Sequence, residues 1–160
     1  MLLAVISDTH MPLGKRRLPV EHLVGADAIL HAGDFSARSV LEELQTLGPP
    51  VHAVRGNVED PWIHTHLPLQ RTLEFAGVRI GMIHDAGPAA GRLARLRRRF
   101  RDEDAVIFGH SHIPLHETAE DGFQIFNPGS PTEKRRQPKF TMGYARVDDR
   151  TVTFELVELG

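Results

Sequence analysis

Met1-Leu2-Leu3-Ala4-Val5-Ile6-Ser7-Asp8-Thr9-His10 is the stretch whose reading decides the fold. An unbroken apolar run ending in polar residues suits a strand covered on both faces, whose carboxyl end delivers Asp8 and His10 into a loop. The same arrangement recurs downstream. Residues 28–30 lead into His31-Ala32-Gly33-Asp34, and residues 51–54 lead into Arg55-Gly56-Asn57. A helix is predicted between those two, with Ser39 as N-cap and Glu42 completing a capping box. Val40, Leu41, Leu44 and Leu47 supply its apolar stripe, and Gly48-Pro49-Pro50 ends it. Strand, helix and strand therefore alternate, as in parallel βαβ units, and the class is α/β.

The second half has a different rhythm. Residues 71–75 and 78–83 flank Ala76-Gly77, residues 116–119 and 123–126 flank Asp121-Gly122, and residues 143–147 and 151–157 flank Asp148-Asp149-Arg150. These pairs predict antiparallel hairpins. Residues 91–101 place Leu93, Leu96 and Phe100 on one helical face with arginines around the rest, which reads as a solvated helix.

Composition narrows the chemistry. A chain of 160 residues, 41% hydrophobic and 25% charged, has the make-up of one globular domain spanning 1–160. There is no cysteine, so disulfides, thiolate metal sites and a cysteine nucleophile are excluded. The first residues lack a basic leader and a small-residue cleavage site, and Asp8 interrupts them well before spanning length, which predicts a cytoplasmic protein without a membrane anchor. A net charge of −2 does not indicate nucleic acid as a partner, and a homo-oligomer stays open.

Five segments carry the candidate chemistry: Asp8-Thr9-His10, Gly33-Asp34, Gly56-Asn57, His84 and Gly109-His110-Ser111-His112. Counted from His10 to Asp34, Asn57, His84 and His110, each step is 23 to 27 residues, about one strand plus a crossover. Parallel neighbours would bring all five segments to one edge of one sheet. Two carboxylates, four imidazoles and one amide form a mixed oxygen and nitrogen shell suited to Mn, Fe, Co, Ni or Zn. Seven donors exceed one ion's needs, and a shared Asp34 would let two divalent cations divide them. The cations would carry roughly +4 against −2 from the aspartates, which favours a phosphate-bearing anion as substrate.

These segments, in this order, resemble the calcineurin-like metallophosphoesterase signature over nearly the whole chain. The short length and Asn127-Pro128-Gly129-Ser130 are similar to its small bacterial and archaeal phosphodiesterase branch. The resemblance implies a two-sheet mixed β sandwich flanked by helices in four layers. It assigns Asp8, His10, Asp34 and His112 to one ion, and Asp34, Asn57, His84 and His110 to the other, with Mn2+ the leading candidate metal and with catalytic roles for Asp34, Asn57 and His84. It further implies hydrolysis of a phosphodiester by a metal-bound hydroxide. The chain departs from the pattern at Val58, where many members carry a protonating histidine, and at His84-Asp85-Ala86, where the branch tends to read His-Gly-His. Glu59 matches an acidic residue common in the branch, and Asp85 is a candidate substitute acid. The alternative is a weakly active or non-catalytic scaffold acting through protein interactions, as in the retromer subunit that resembles this family.

His22, His52, His64, His66 and His116 belong to no motif and read as ordinary structural or surface residues. Asn127-Pro128-Gly129-Ser130 reads alone as a turn, and Arg55, Arg135 and Arg136 are candidates for phosphate contact.

Overall fold

In the computed structural model, which describes residues 1–13 and 16–160, the opening apolar run forms β1 (Leu2–Ile6) at the centre of a five-stranded sheet. Its side chains alternate between two cores. Leu3 and Val5 face a second sheet, while Ala4 and Ile6 face helices, which is why the run carries no polar position.

β2 (Ala28–His31) and β3 (Val51–Ala53) follow β1 in parallel, in register Leu3 to Ala28 and Ile29 to Val51. On the other side β9 (Phe140–Asp148) and β10 (Thr151–Leu159) add antiparallel, giving the order β10-β9-β1-β2-β3. The second sheet runs β4-β5-β6-β8-β7. Its strands are β4 (Gln70–Phe75), β5 (Val78–Ile83), β6 (Ala105–Ile107), β7 (Leu115–Thr118) and β8 (Gln124–Asn127). β5, β6 and β8 are parallel, and hairpins bring β4 and β7 in antiparallel at the edges. All three predicted hairpins form. Ala76 and Gly77 both have positive φ (47° and 80°), the requirement of the tightest hairpin turn.

Three cores stack these layers. Leu3, Val5, Leu30, Ile80, Met82, Ile107, Phe126 and Phe154 fill the space between the sheets. Outside the first sheet pack α1 (Val20–Leu23), α2 (Arg38–Gln45) and α3 (Pro61–His66), through Leu23, Val40, Leu41, Leu44 and Ile63. Outside the second packs α4 (Arg92–Arg99), through Leu96 with the following Phe100, against Val106, Phe108 and Ile125. The result is the two-sheet mixed sandwich flanked by helices in four layers. Among the described residues, no helix is long and apolar enough to cross a membrane.

Two local expectations fail. α2 begins at Arg38 after Ala37, so Ser39 lies inside the helix and makes no capping bond. The donors near its start are met by carboxylates from another loop, Ser36 N by Glu59 Oε1 and Arg38 N by Asp60 Oδ2, and the local box is not needed. The single sheet edge is also wrong. Asp8, Asp34 and Asn57 follow strands of the first sheet, whereas His84 and His110 follow strands of the second. The segments meet at one end of the sandwich because both sheets present carboxyl ends there.

Candidate metal centre

Seven strand-end side chains converge at that end. Asp8 Oδ1 lies 3.4 Å from His112 Nε2, 3.7 Å from His10 Nε2 and 3.8 Å from His84 Nε2. Asp34 Oδ2 lies 3.3 Å from His10 Nε2 and 3.2 Å from His84 Nε2. Asn57 Oδ1 is 3.0 Å from His84 Nε2 and 3.1 Å from His110 Nδ1, and the Nε2 atoms of His10 and His112 are 3.1 Å apart. Two clusters of possible ligands result, Asp8 with His10 and His112, and Asp34 with His84 and His110. Asp34 Oδ2, within 3.3 Å of a nitrogen from each, stands between them.

The local structure aims these atoms. His84 Nδ1 donates to Ala32 O at 2.7 Å and His112 Nδ1 to Glu133 O, so each ring turns Nε2 inward, where its neutral form presents a lone pair. Asp8 Oδ2 accepts from Ser7 Oγ and His110 N, and Asp34 Oδ1 accepts from Val58 N, which leaves one oxygen of each carboxylate for the centre. The glycines permit the approach. A Cβ on Gly56 would stand 2.1 Å from Asp34 Oδ1, and one on Gly109 would stand 2.1 Å from Ser7 Oγ and 2.6 Å from Asp8 Oδ2.

Electrostatics point to the same chemistry. Asp8 and Asp34 are at most 1% exposed, and a buried carboxylate is retained only with compensating charge. Burial works to lower the pKa of His10, but the nearby carboxylates of Asp34 and Asp8 reverse this and raise it to about 9. His84 is raised by the same contest between burial and Asp34. Burial would raise Asp34, yet His10 and His84 hold it well below the carboxylate range. Among the described residues Asp8 Oδ1 has no hydrogen-bond partner, although it is buried. An orphaned carboxylate oxygen facing imidazole nitrogens fits divalent cations bound by oxygen and nitrogen.

Sequence reasoning missed the shell behind these donors. Glu59 bonds the backbone of both Asp34 and Gly56 (3.1 and 2.9 Å) and of Ser36 (2.9 Å), clasping two site loops. His31 is fully buried against Phe35, accepts from Gly33 N and meets Thr9 Oγ1; burial lowers its pKa to about 3, so it is neutral. Its place beside Gly33-Asp34 was the available signal. The segment from Asn127 does more than turn: Asn127 Nδ2 donates to Gly109 O, Ser130 Oγ to Asp8 O and Thr132 Oγ1 to Thr9 O. Asp85, the candidate acid, accepts from Gly87 N and lines a small cavity with Arg95 and Arg99, whose walls contain none of the seven donors. His52 packs edge-on to Phe75 and His66 stacks on Trp62, in keeping with ordinary roles.

A four-layer sandwich with this cluster at its end defines the metallophosphoesterase class. The family model for the calcineurin-like phosphoesterase superfamily domain matches residues 1–150, and the chain belongs to that family. A probable metallophosphoesterase of Methanothermobacter thermautotrophicus is 34% identical over 165 residues, covering all of this chain and 94% of the relative. One from Methanocaldococcus jannaschii is 36% identical, covering 94% of this chain and 78% of its own. Among solved structures, a Thermotoga maritima protein is 29% identical with a TM-score of 0.75 over 99% of both chains. Vps29 of Entamoeba histolytica shares the fold at 23% identity, TM-score 0.79, over all of both chains.

Proposed function

We propose that the protein is a phosphodiesterase that works with two divalent transition-metal ions. Asp8, His10, Asp34 and His112 would hold one ion, and Asp34, Asn57, His84 and His110 the other, with Asp34 shared. The observation that carries this reading is Asp34 Oδ2, buried and facing one imidazole from each cluster. When bound, the ions would supply an activated water and withdraw charge from the phosphoryl oxygens. The chain's own contribution is orientation: backbone carbonyls fix the His84 and His112 tautomers, and Asn57 and His110, the outermost donors, border the opening to solvent. Val58 is exposed and gives its N–H to Asp34 Oδ1, so its side chain brings no proton to a leaving group. Aryl phosphodiesters should therefore be cleaved faster than alkyl ones, because general acid catalysis, typically worth ~10²–10⁴-fold, is missing at that position.

Elemental analysis should find close to two ions per chain, with Asp34→Asn lowering the content, and the loaded protein should hydrolyse bis-p-nitrophenyl phosphate. A single ion unaffected by Asp34→Asn would overturn the dinuclear reading. Two ions without hydrolysis of any ester would favour the scaffold reading, which the Vps29 fold likeness and the apolar Val58 support. A rate independent of leaving-group pKa would mean that another residue donates the proton.

A further inference from the structure

The sequence offers three arginines for phosphate contact, and the structure separates them. Arg55 donates to His64 O and Leu67 O at the end of α3. Arg136 is exposed. Of the three, Arg135 is the one whose guanidinium lies against a donor-bearing loop, with Nη1 3.5 Å from the backbone oxygen of His110.

Its placement is built by the chain leading to it. Ser130 Oγ is tied to Asp8 O at 2.7 Å and Thr132 Oγ1 to Thr9 O at 2.6 Å, which pins this segment under the first donor loop. Glu133 O then accepts from His112 Nδ1, so the backbone passes directly behind a donor ring. Lys134 turns back, with Nζ on Gln137 O and over the Phe140 ring, so its ammonium is held within the loop. Arg135 itself has a φ of 52°, a conformation that residues bearing a Cβ rarely hold and that tends to mark functional positions. Among the described residues Arg38, Arg79, Arg97 and Arg146 have a carboxylate partner; Arg135, like Arg55 and Arg136, has none, and it is its place at His110 O that sets it apart. An exposed cation held at the backbone of His110, whose ring is the outermost imidazole, has donors to spare for an anion at the mouth of the site.

We propose that Arg135 is a substrate-positioning residue that binds the non-bridging oxygens of the phosphoryl group seated at the centre. This deepens the phosphodiesterase reading and rests on it for the location of the phosphate. A guanidinium offers paired N–H donors matched to two phosphate oxygens, so it fixes orientation as well as charge, and a lysine does not reproduce it.

The test is inorganic phosphate titrated by calorimetry into the metal-loaded protein, with wild type compared to Arg135→Gln, Arg135→Lys and Arg136→Gln. Arg135→Gln should weaken phosphate binding about tenfold or more, Arg135→Lys should recover only part, and Arg136→Gln should stay within about twofold. Metal content should be equal in all four, and with a diester substrate the Arg135→Gln loss should appear in KM at least as strongly as in kcat. Phosphate binding unchanged by Arg135→Gln would overturn the proposal. Equal losses from Arg135→Gln and Arg136→Gln would also overturn it, since only general surface charge would then be at work. So would a fall in metal content in Arg135→Gln, which would mean that the side chain only props His110. A wild type that binds phosphate but hydrolyses no ester would defeat the phosphodiesterase reading and still leave Arg135 decided by the titration.

Discussion

Five of the seven donors, Asp8, His10, Asp34, His110 and His112, have φ between 46° and 74°, where a side-chain-bearing residue is strained. Such strain persists only where surrounding bonds over-determine it. Here Asp8 N and His10 N reach the Gly33 and Asp34 carbonyls, and the Asn127–Thr132 segment holds Asp8, Thr9 and Gly109 from behind. Glu59 is the critical member of that shell, because one carboxylate satisfies three N–H donors from two loops. Glu59→Gln keeps the size but sets amide protons against at least one of those donors. Leaving a partly buried donor unsatisfied costs roughly 1–3 kcal/mol, so urea unfolding should register a loss of that order. Metal titration should also show the Asp34 and Asn57 side weakened more than the Asp8 side. Unaltered stability together with unaltered metal affinities would show that the clasp is dispensable.

At the scale of elements, much was legible because period and turn chemistry are local. The apolar run of β1, the β4–β5 turn at Ala76-Gly77 and the Leu93, Leu96, Phe100 face of α4 all follow from residues adjacent in sequence. What stayed hidden depends on partners distant in sequence. Ser39 resembles a cap, but the start of α2 is served by Glu59 and Asp60 more than twenty positions away. The even spacing of the five motifs is the same whether they share one sheet or two, so the meeting of two sheets could not be read from it. α3 was missed although Asp60-Pro61 is a regular start signal, with Asp60 accepting from Ile63 N and proline at the first helical positions. Asp60 also receives Arg38 N and so begins two helices at once. Asp60→Ala should cost about 1–2 kcal/mol, and Asp60→Asn only part of that. Equal stability of Asp60→Ala and wild type in denaturant melts would show that solvent caps both helices adequately.

For the whole molecule, the site joins two sheets by bringing charges of opposite sign together between them, and this makes stability depend on pH in opposite directions on the two sides of neutrality. His31, neutral in the fold with a pKa lowered to about 3, binds fewer protons folded than unfolded. Its contribution is complete above its unfolded pKa, ~6.5, and is lost as pH falls from there toward 3. His112, lowered by burial, acts in the same sense. His10, raised to about 9, and His84, also raised, do the reverse in the metal-free protein. Their contribution is complete below ~6.5 and disappears as pH climbs through 9 for His10. The metal-free protein should thus be most stable near pH 6.5 and weaken on either side. Ions bound in place of the His10 and His84 protons would remove the alkaline limb, because neutral imidazole is the ligating form. Binding should therefore release protons at pH 7–8, and the gap in Tm between loaded and stripped protein should widen from pH 6.5 toward 9. Calorimetry in buffers of different ionisation enthalpy, with melting curves of both forms across that range, checks both expectations. Binding without proton release at pH 7, or a constant Tm gap, would mean that the ions do not displace protons from His10 and His84, and the proposed donor set would have to be redrawn.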